Sequence, residues 1–318
     1  MTMLDAQTLP AVLLGRRVEV RATAADNNNA QLAEQFVGDE VRRANDLFDP
    51  ADRNSMLSLW MRHPRSVETT PEFDDVLRVA LTWQRLSNGA FNVRAMRLHR
   101  LWTAAAQTGC RPSGRQLKKA VAEIAHAPYT FTGSELHRVD DCQGLDVSAV
   151  AIGHYADRAV DLAMLEYDLS GISLTIAGLT ARRGNNHIDL VLHDTTRANV
   201  SPTPISTIRL HEGTIAVQPP RHRNRSRARV SDVGIDPRTG NSTPVRTSST
   251  TIARKACSAA LVSETLSILA PEEGVGFVER CNAELRPCDL NDKTISCLIL
   301  ENSGFVRTSQ SWASHETR

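Results

Sequence analysis

Arg238 and Thr239 place a cationic fork and a hydroxyl inside the stretch VGIDPRTGN (233–241). Asp236-Pro237 starts a bend there, and Gly240 supplies the positive φ that ends it. A guanidinium beside a hydroxyl on a turn is chemistry suited to an anion. Just upstream, Arg221, Arg223, Arg225, Arg227 and Arg229 alternate along PPRHRNRSRAR (219–229), with His222 between the first two. That tract reads as a solvated loop, with bidentate phosphate contact as the sharper alternative. It holds no aromatic residue on which bases could stack, so nucleic acid is not the expected partner.

A third stretch, LDVSAVAIGHYADRAVD (145–161), sets Asp146 before a run of small residues and Gly153 at the expected start of a helix. Small side chains at such a junction let a ligand approach the backbone, and helix N-termini favour phosphate. Close packing of the helix on a sheet is the competing reading. His187, His193, His211 and His222 show no i,i+4 pairing and no H-E-x-x-H, so they make no zinc site. No Walker loop, G-x-G-x-x-G or G-x-S-x-G occurs.

The elements that must position these groups are legible as periodicities. Val37, Val41, Ala44 and Phe48 form a helical stripe over 32–48. Thr69 and Glu72 have capping-box spacing around Pro71, Phe73, Val76, Leu77, Ala80 and Leu81 make a buried face, and Asn88-Gly89 ends the helix. Further helices are predicted over 153–166 and 253–269, the latter stopped by Ala270-Pro271. GISLTIAGL (171–179) and TISCLILENSGF (294–305) read as strands, and 205–217 as a hairpin about Glu212-Gly213. Helices first, then strands interleaved with helices, indicate an α+β architecture.

Bulk properties narrow the classes. With 318 residues, 41% apolar and 23% charged, the chain can bury a full core. A net charge of +1 directs it to no partner by bulk electrostatics. The six cysteines form neither a C-x-x-C pair nor a zinc spacing and read as reduced thiols. There is no 18-residue apolar run for a membrane span, and LPAVLLGRR lacks the basic start and cleavage site of a leader, so a cytoplasmic location is expected.

Seven pieces, taken in order, resemble one family, the FAD:protein FMN transferases (the ApbE family). They are RNSMLSLW (53–60), SNGAFNV (87–93), Leu101-Trp102, LDVSAVAIGHYAD (145–157), IAGLTARRG (176–184), GIDPRTGN (234–241) and ILAPEEG (268–274). The resemblance runs over about residues 32 to 312. It implies an α+β, T-fold-like structure with FAD in a cleft between two parts. Domain boundaries on this basis are an N-terminal strand region (1–31) and a transferase-like domain (32–318), with a sub-boundary near 199–204. The implied activity is Mg²⁺-assisted transfer of FMN from FAD to a threonine of a separate target protein, releasing AMP.

Carried over residue by residue, Ala90, Phe91 and Asn92 fall on the family's flavin-contacting turn. Asp146 matches an FAD-contacting aspartate, and Ile152, Gly178, Ile235 and Asp236 fall on further cofactor positions. Ala149 matches a backbone carbonyl ligand of Mg²⁺. Departures are concentrated near the chemistry. Ile152 stands for a Lys or Glu, Ala177 and Leu179 for the glycine and aspartate of G-G-D, Gln218-Pro219 for Ser-Gly, and Val233 for a histidine. The family's metal-binding Asp and Thr become Ala260 and Glu264, so the catalytic residues are left unassigned and Glu264 is the one candidate carboxylate for a metal. Three readings stay open: a divergent transferase, a pseudoenzyme that binds flavin, nucleotide or a protein partner, and an enzyme repurposed around the same cleft.

Overall fold

The computed structural model describes residues 11–63, 67–140, 144–194, 203–219, 234–243, 247–285, 294–301 and 303–314. In chain order the strands are β1 (Ala11–Leu13), β2 (Arg16–Ala24), β3 (Tyr129–Thr132), β4 (Glu135–Arg138), β5 (Leu169–Ile176), β6 (Leu179–Gly184), β7 (Ile188–Asp194), β8 (Thr203–Leu210), β9 (Gly213–Gln218), β10 (Ser248–Ala253), β11 (Ser296–Leu300) and β12 (Val306–Thr308). The helices are α1 (Asn27–Phe48), α2 (Met56–Arg62), α3 (Pro71–Leu86), α4 (Met96–Gln107), α5 (Gly114–Ile124), α6 (Ser148–Glu166), α7 (Ala256–Leu266) and α8 (Pro271–Glu284).

One eight-stranded sheet, ordered β1-β2-β5-β6-β9-β10-β11-β12, organises the molecule, and its neighbours run antiparallel. Side chains alternate across it, as a period of two requires. Ala216, Ala253 and Ile299 join the large core with α1, α6 and α7. Ile215, Ile252, Leu298 and Leu300 face the other way and form a second core with Leu192 and Ile208 of the small β7–β8 sheet and with Trp312. The sheet is therefore covered on both faces, which an α+β fold achieves with helices on one and a hairpin on the other.

The stripe predicted over 32–48 is α1, with Val37, Val41, Ala44 and Phe48 buried. In α3 the cap is Thr70, whose hydroxyl accepts from the Phe73 N–H at 3.3 Å, rather than Thr69. Glu72 does not close a capping box; its carboxylate accepts from Arg43 and from the Tyr155 hydroxyl. The helix stops where predicted, with Asn88 and Gly89 at φ 52° and 80°.

Two other expectations change. Helix α6 begins at Ser148, five residues before Gly153, because the Asp146 carboxylate accepts from the Ser148 N–H and fixes the first turn there. Gly153 serves packing instead: a Cβ on it would lie 2.4 Å from Cys257 Cα and 2.8 Å from Cys257 N, so the backbones of α6 and α7 touch. The hairpin expected over 205–217 does not form either. Strand β8 pairs with β7, whereas β9 pairs with β6 and β10 in the main sheet. The chain changes sheets at His211-Glu212, and Ile208, Leu210 and Ile215 meet face to face in one core.

The helix expected over 253–269 is shorter at both ends, and Pro271 starts α8 rather than only ending α7. Cys257, Cys281 and Cys297 are free and buried, and Cys110 is free and exposed. Burial pushes the Cys281 thiol up to about 12 and the Cys297 thiol up to about 11, which suits inert core residues. Among the described residues, no helix is long and apolar enough to cross a membrane.

Candidate functional site

A cavity of about 1040 Å³ opens where several separate segments converge. The first is the turn after α3. There the Ser87 hydroxyl accepts from the Phe91 N–H at 3.0 Å and brings Ala90, Phe91 and Asn92 into the wall. The second is the start of α6, which contributes Ser148, Ala149 and Ile152, with Asp146 just before it. The Asp146 N–H donates to Val93 O at 2.8 Å, so the first two segments are bolted together.

The third is the β5–β6 turn, where Ala177 and Gly178 both take positive φ, at 50° and 84°. A Cβ on Gly178 would lie 2.5 Å from Val217 O, so only glycine lets this turn lie against β9. The fourth is the cleft face of α7, which presents Ala260, Ser263 and Glu264. The fifth is Ile235 and Pro237, and α4 closes the remaining side with Met96, His99 and Arg100.

Helix α7 reaches this position through a buried support. Asp157 of α6 accepts from the Ala256 and Cys257 N–H groups at 2.8 and 3.1 Å, capping α7 from a neighbouring helix. Arg183 of β6 donates to the same carboxylate at 2.9 Å and to Asp161 at 2.6 Å, and Lys255 holds the other Asp161 oxygen at 3.0 Å. Burial pushes the Asp157 carboxyl up, and the two amides and Arg183 pull it back.

Of the eleven positions carried over as cofactor, metal or catalytic positions, ten line this one cavity: Ala90, Phe91, Asn92, Asp146, Ala149, Ile152, Gly178, Ile235, Ala260 and Glu264. Asp236 is the exception. It is buried beside the cleft, where its carboxylate accepts from the Arg238 N–H and Nε, each at 2.9 Å. Arg238 is thus no free anion receptor. It is committed to Asp236 and Glu273, and these hydrogen bonds raise the guanidinium further above its ordinary value. The turn is pinned from outside by the Trp102 Nε1–H, which donates to Gly240 O at 2.8 Å.

Asn92 also spends its polar atoms on structure, donating to Ile124 O and accepting from the Arg94 N–H. Arg16, His99 and Arg100 line the cavity and were not picked out from the sequence. No motif marks them, since a lone basic residue acquires meaning only when the fold turns it inward. The 221–229 tract and Val233 lie outside the described residues.

A model of the ApbE family matches residues 14–286. The chain belongs to the ApbE family. Solved structures of the family carry the same fold. An ApbE protein from Thermotoga maritima superposes with a TM-score of 0.77 at 20% identity, covering 99% of this chain and 100% of that one. The flavin transferase ApbE from Vibrio cholerae gives 0.75 at 18% identity, covering 98% and 99%. The apo flavinyl transferase ApbE from Pseudomonas stutzeri gives 0.75 at 15%, covering 100% and 99%. No curated protein gives a significant match.

Two ligands implied by the ApbE fold can be tested against these residues. A flavin dinucleotide needs a long, largely apolar slot with a few polar groups, and a cavity of about 1040 Å³ walled by Phe91, Ile152, Leu179 and Ile235 fits it. Mg²⁺ needs near-octahedral oxygen ligands, one or two of them carboxylates. Helix α7 offers the cleft a single carboxylate, Glu264, beside Ala260 and Ser263. Among the described residues no three His, Cys, Asp or Glu side chains cluster as metal ligands. This donor set does not fit a protein-held Mg²⁺.

Proposed function

We propose that this ApbE-family chain binds FAD in the cleft and that its FMN-transfer step is lost. The observation that carries the reading is the convergence of ten dispersed sequence positions on one cavity of dinucleotide size. The flavin ring is assigned to the side walled by Phe91 and Ile235, and Asp146, through the carboxylate oxygen that does not hold the Ser148 N–H, is assigned a polar contact to the nucleotide. The chain's part is to bind, orient and exclude water.

Loss of transfer follows from the chemistry of α7. Moving FMN requires an activated threonine hydroxyl and a neutralised leaving phosphate. Ala260 supplies neither a base nor a metal ligand. A second reading, residual transferase activity, is favoured by one observation: Glu264 places a carboxylate on the same cleft face, one helical turn on.

Mixing the protein with FAD, Mg²⁺ and a flavinylation-target peptide separates the two. FAD should bind in isothermal titration, and mass spectrometry should show no covalent FMN on the peptide. Accumulation of the FMN-peptide over many turnovers establishes the second reading instead. Absence of any FAD binding overturns both.

A further inference from the structure

Most arginines around the cleft are already spent. Arg94 pairs with Asp140 at 2.9 Å, Arg97 with Glu123 at 2.8 Å, and Arg238 with Asp236 and Glu273. Arg16 and Arg100 differ. Both line the cavity, both are exposed, and neither has an anionic partner among the described residues.

Each is placed by backbone rather than by a partner charge. Arg16 follows the tight turn between β1 and β2, where Leu14 and Gly15 have φ of 48° and 78°. Strand β2 pairs with β5 in the register Val18 to Ile176, which sets Arg16 beside the Ala177-Gly178 turn. Arg100 projects from α4 over Gly144, and a Cβ on that glycine would lie 3.3–3.5 Å from its Nη1, Cζ and Nη2. Gly144 lies two residues before Asp146, so this guanidinium stands at the mouth of the α6 start.

A diphosphate brings about two negative charges into the cleft at neutral pH, and something must neutralise them. The Mg²⁺ donor set is absent from α7, and the cleft carboxylates of Asp146 and Glu264 repel phosphate rather than hold it. Guanidiniums are the remaining fixed charges of the right sign. Their planar forks match phosphate oxygens two at a time.

We infer that the cleft holds the diphosphate of its nucleotide with the guanidiniums of Arg16 and Arg100, with no divalent cation required. This rests on the flavin-nucleotide reading above, and the probes separate the two. FAD, ADP and riboflavin are titrated calorimetrically into wild type, R16Q, R100Q and the double variant, each in EDTA and in excess Mg²⁺. FAD affinity should be the same in both buffers. Each single variant should weaken FAD by about tenfold, the loss carried by one charged hydrogen bond. Riboflavin, which has no phosphate, should bind all four proteins alike.

An FAD affinity that collapses in EDTA overturns the inference and leaves the flavin reading standing. So does a double variant that binds FAD as well as wild type. ADP binding that depends on both arginines, with no binding of FAD or riboflavin, upholds the diphosphate clamp and overturns the flavin reading. Failure of all three probes on wild type overturns both.

Discussion

Glu72, in the first turn of α3, accepts from Arg43 Nε at 2.8 Å and from the Tyr155 hydroxyl at 2.5 Å, and lies 3.6 Å from Arg158. Burial works to raise its carboxyl, but the Arg43 and Tyr155 hydrogen bonds outweigh it and hold the group below its ordinary 4.5. A depressed carboxyl stabilises the fold above its unfolded pKa and loses that contribution as pH falls through the folded one. Glu72→Gln should therefore be less stable than wild type in urea melts at pH 7, with the gap closing below about pH 4. A gap that is constant down to pH 2.5 would show that the charge is not what matters. Ala260 offers the converse experiment. Ala260→Asp places a second carboxylate four residues before Glu264 on the cleft face of α7, and should make FAD binding responsive to Mg²⁺ in calorimetry. No change in metal dependence would mean that position 260 does not face a bound cation.

Helices α6 and α7 meet at Gly153, and the contact tolerates no side chain. Gly153→Ala forces the two backbones apart and should cost about 1–3 kcal/mol or more in chemical denaturation. Gly276, on α8, is the control: the nearest atom to an added Cβ is the tip of Arg280 at 3.7 Å. Gly276→Ala should be neutral or stabilising by about 0.4–1 kcal/mol, through reduced unfolded-state entropy. Equal effects of the two alanines would contradict the packing account. The cap of α7 makes a third case. Asp157 and Arg183 are 8% and 7% exposed, so Asp157→Ala leaves a buried guanidinium short of an anion and two amides unpaired. The expected loss is about 3–5 kcal/mol. Because α7 is a wall of the cleft, FAD affinity in calorimetry should fall with it.

Over the whole molecule, the cleft is assembled from β2, the turn of residues 90–92, α4, the start of α6, the β5–β6 turn, α7 and Ile235 with Pro237. These elements join only in the folded state, so a nucleotide that binds them stabilises the native chain by mass action. FAD at about a hundred times its dissociation constant should add about 2.7 kcal/mol and raise the melting temperature. The Thermotoga maritima and Vibrio cholerae structures share this architecture at 20% and 18% identity. Such a fold survives because it depends on patterning and a few close approaches, whereas site chemistry depends on individual side chains.

The sequence by itself determined what is local or periodic. The α1 stripe, the Pro71 start and Asn88-Gly89 end of α3, and the Asp236-Pro237 to Gly240 turn all follow from spacing and backbone preference. Ordered motifs were enough to point to the family and to ten residues of one cavity. Tertiary structure alone decided three things. Strand β9 left its neighbour β8 for β6 and β10, because strand pairing is settled by distant partners and shared cores. Arg238 was taken by Glu273 of α8, 35 residues away, so its charge serves the turn and not a ligand. Arg16 and Arg100 turned toward the cleft from two unrelated elements. A charge has no direction in a sequence; the fold gives it a partner or leaves it facing a cavity.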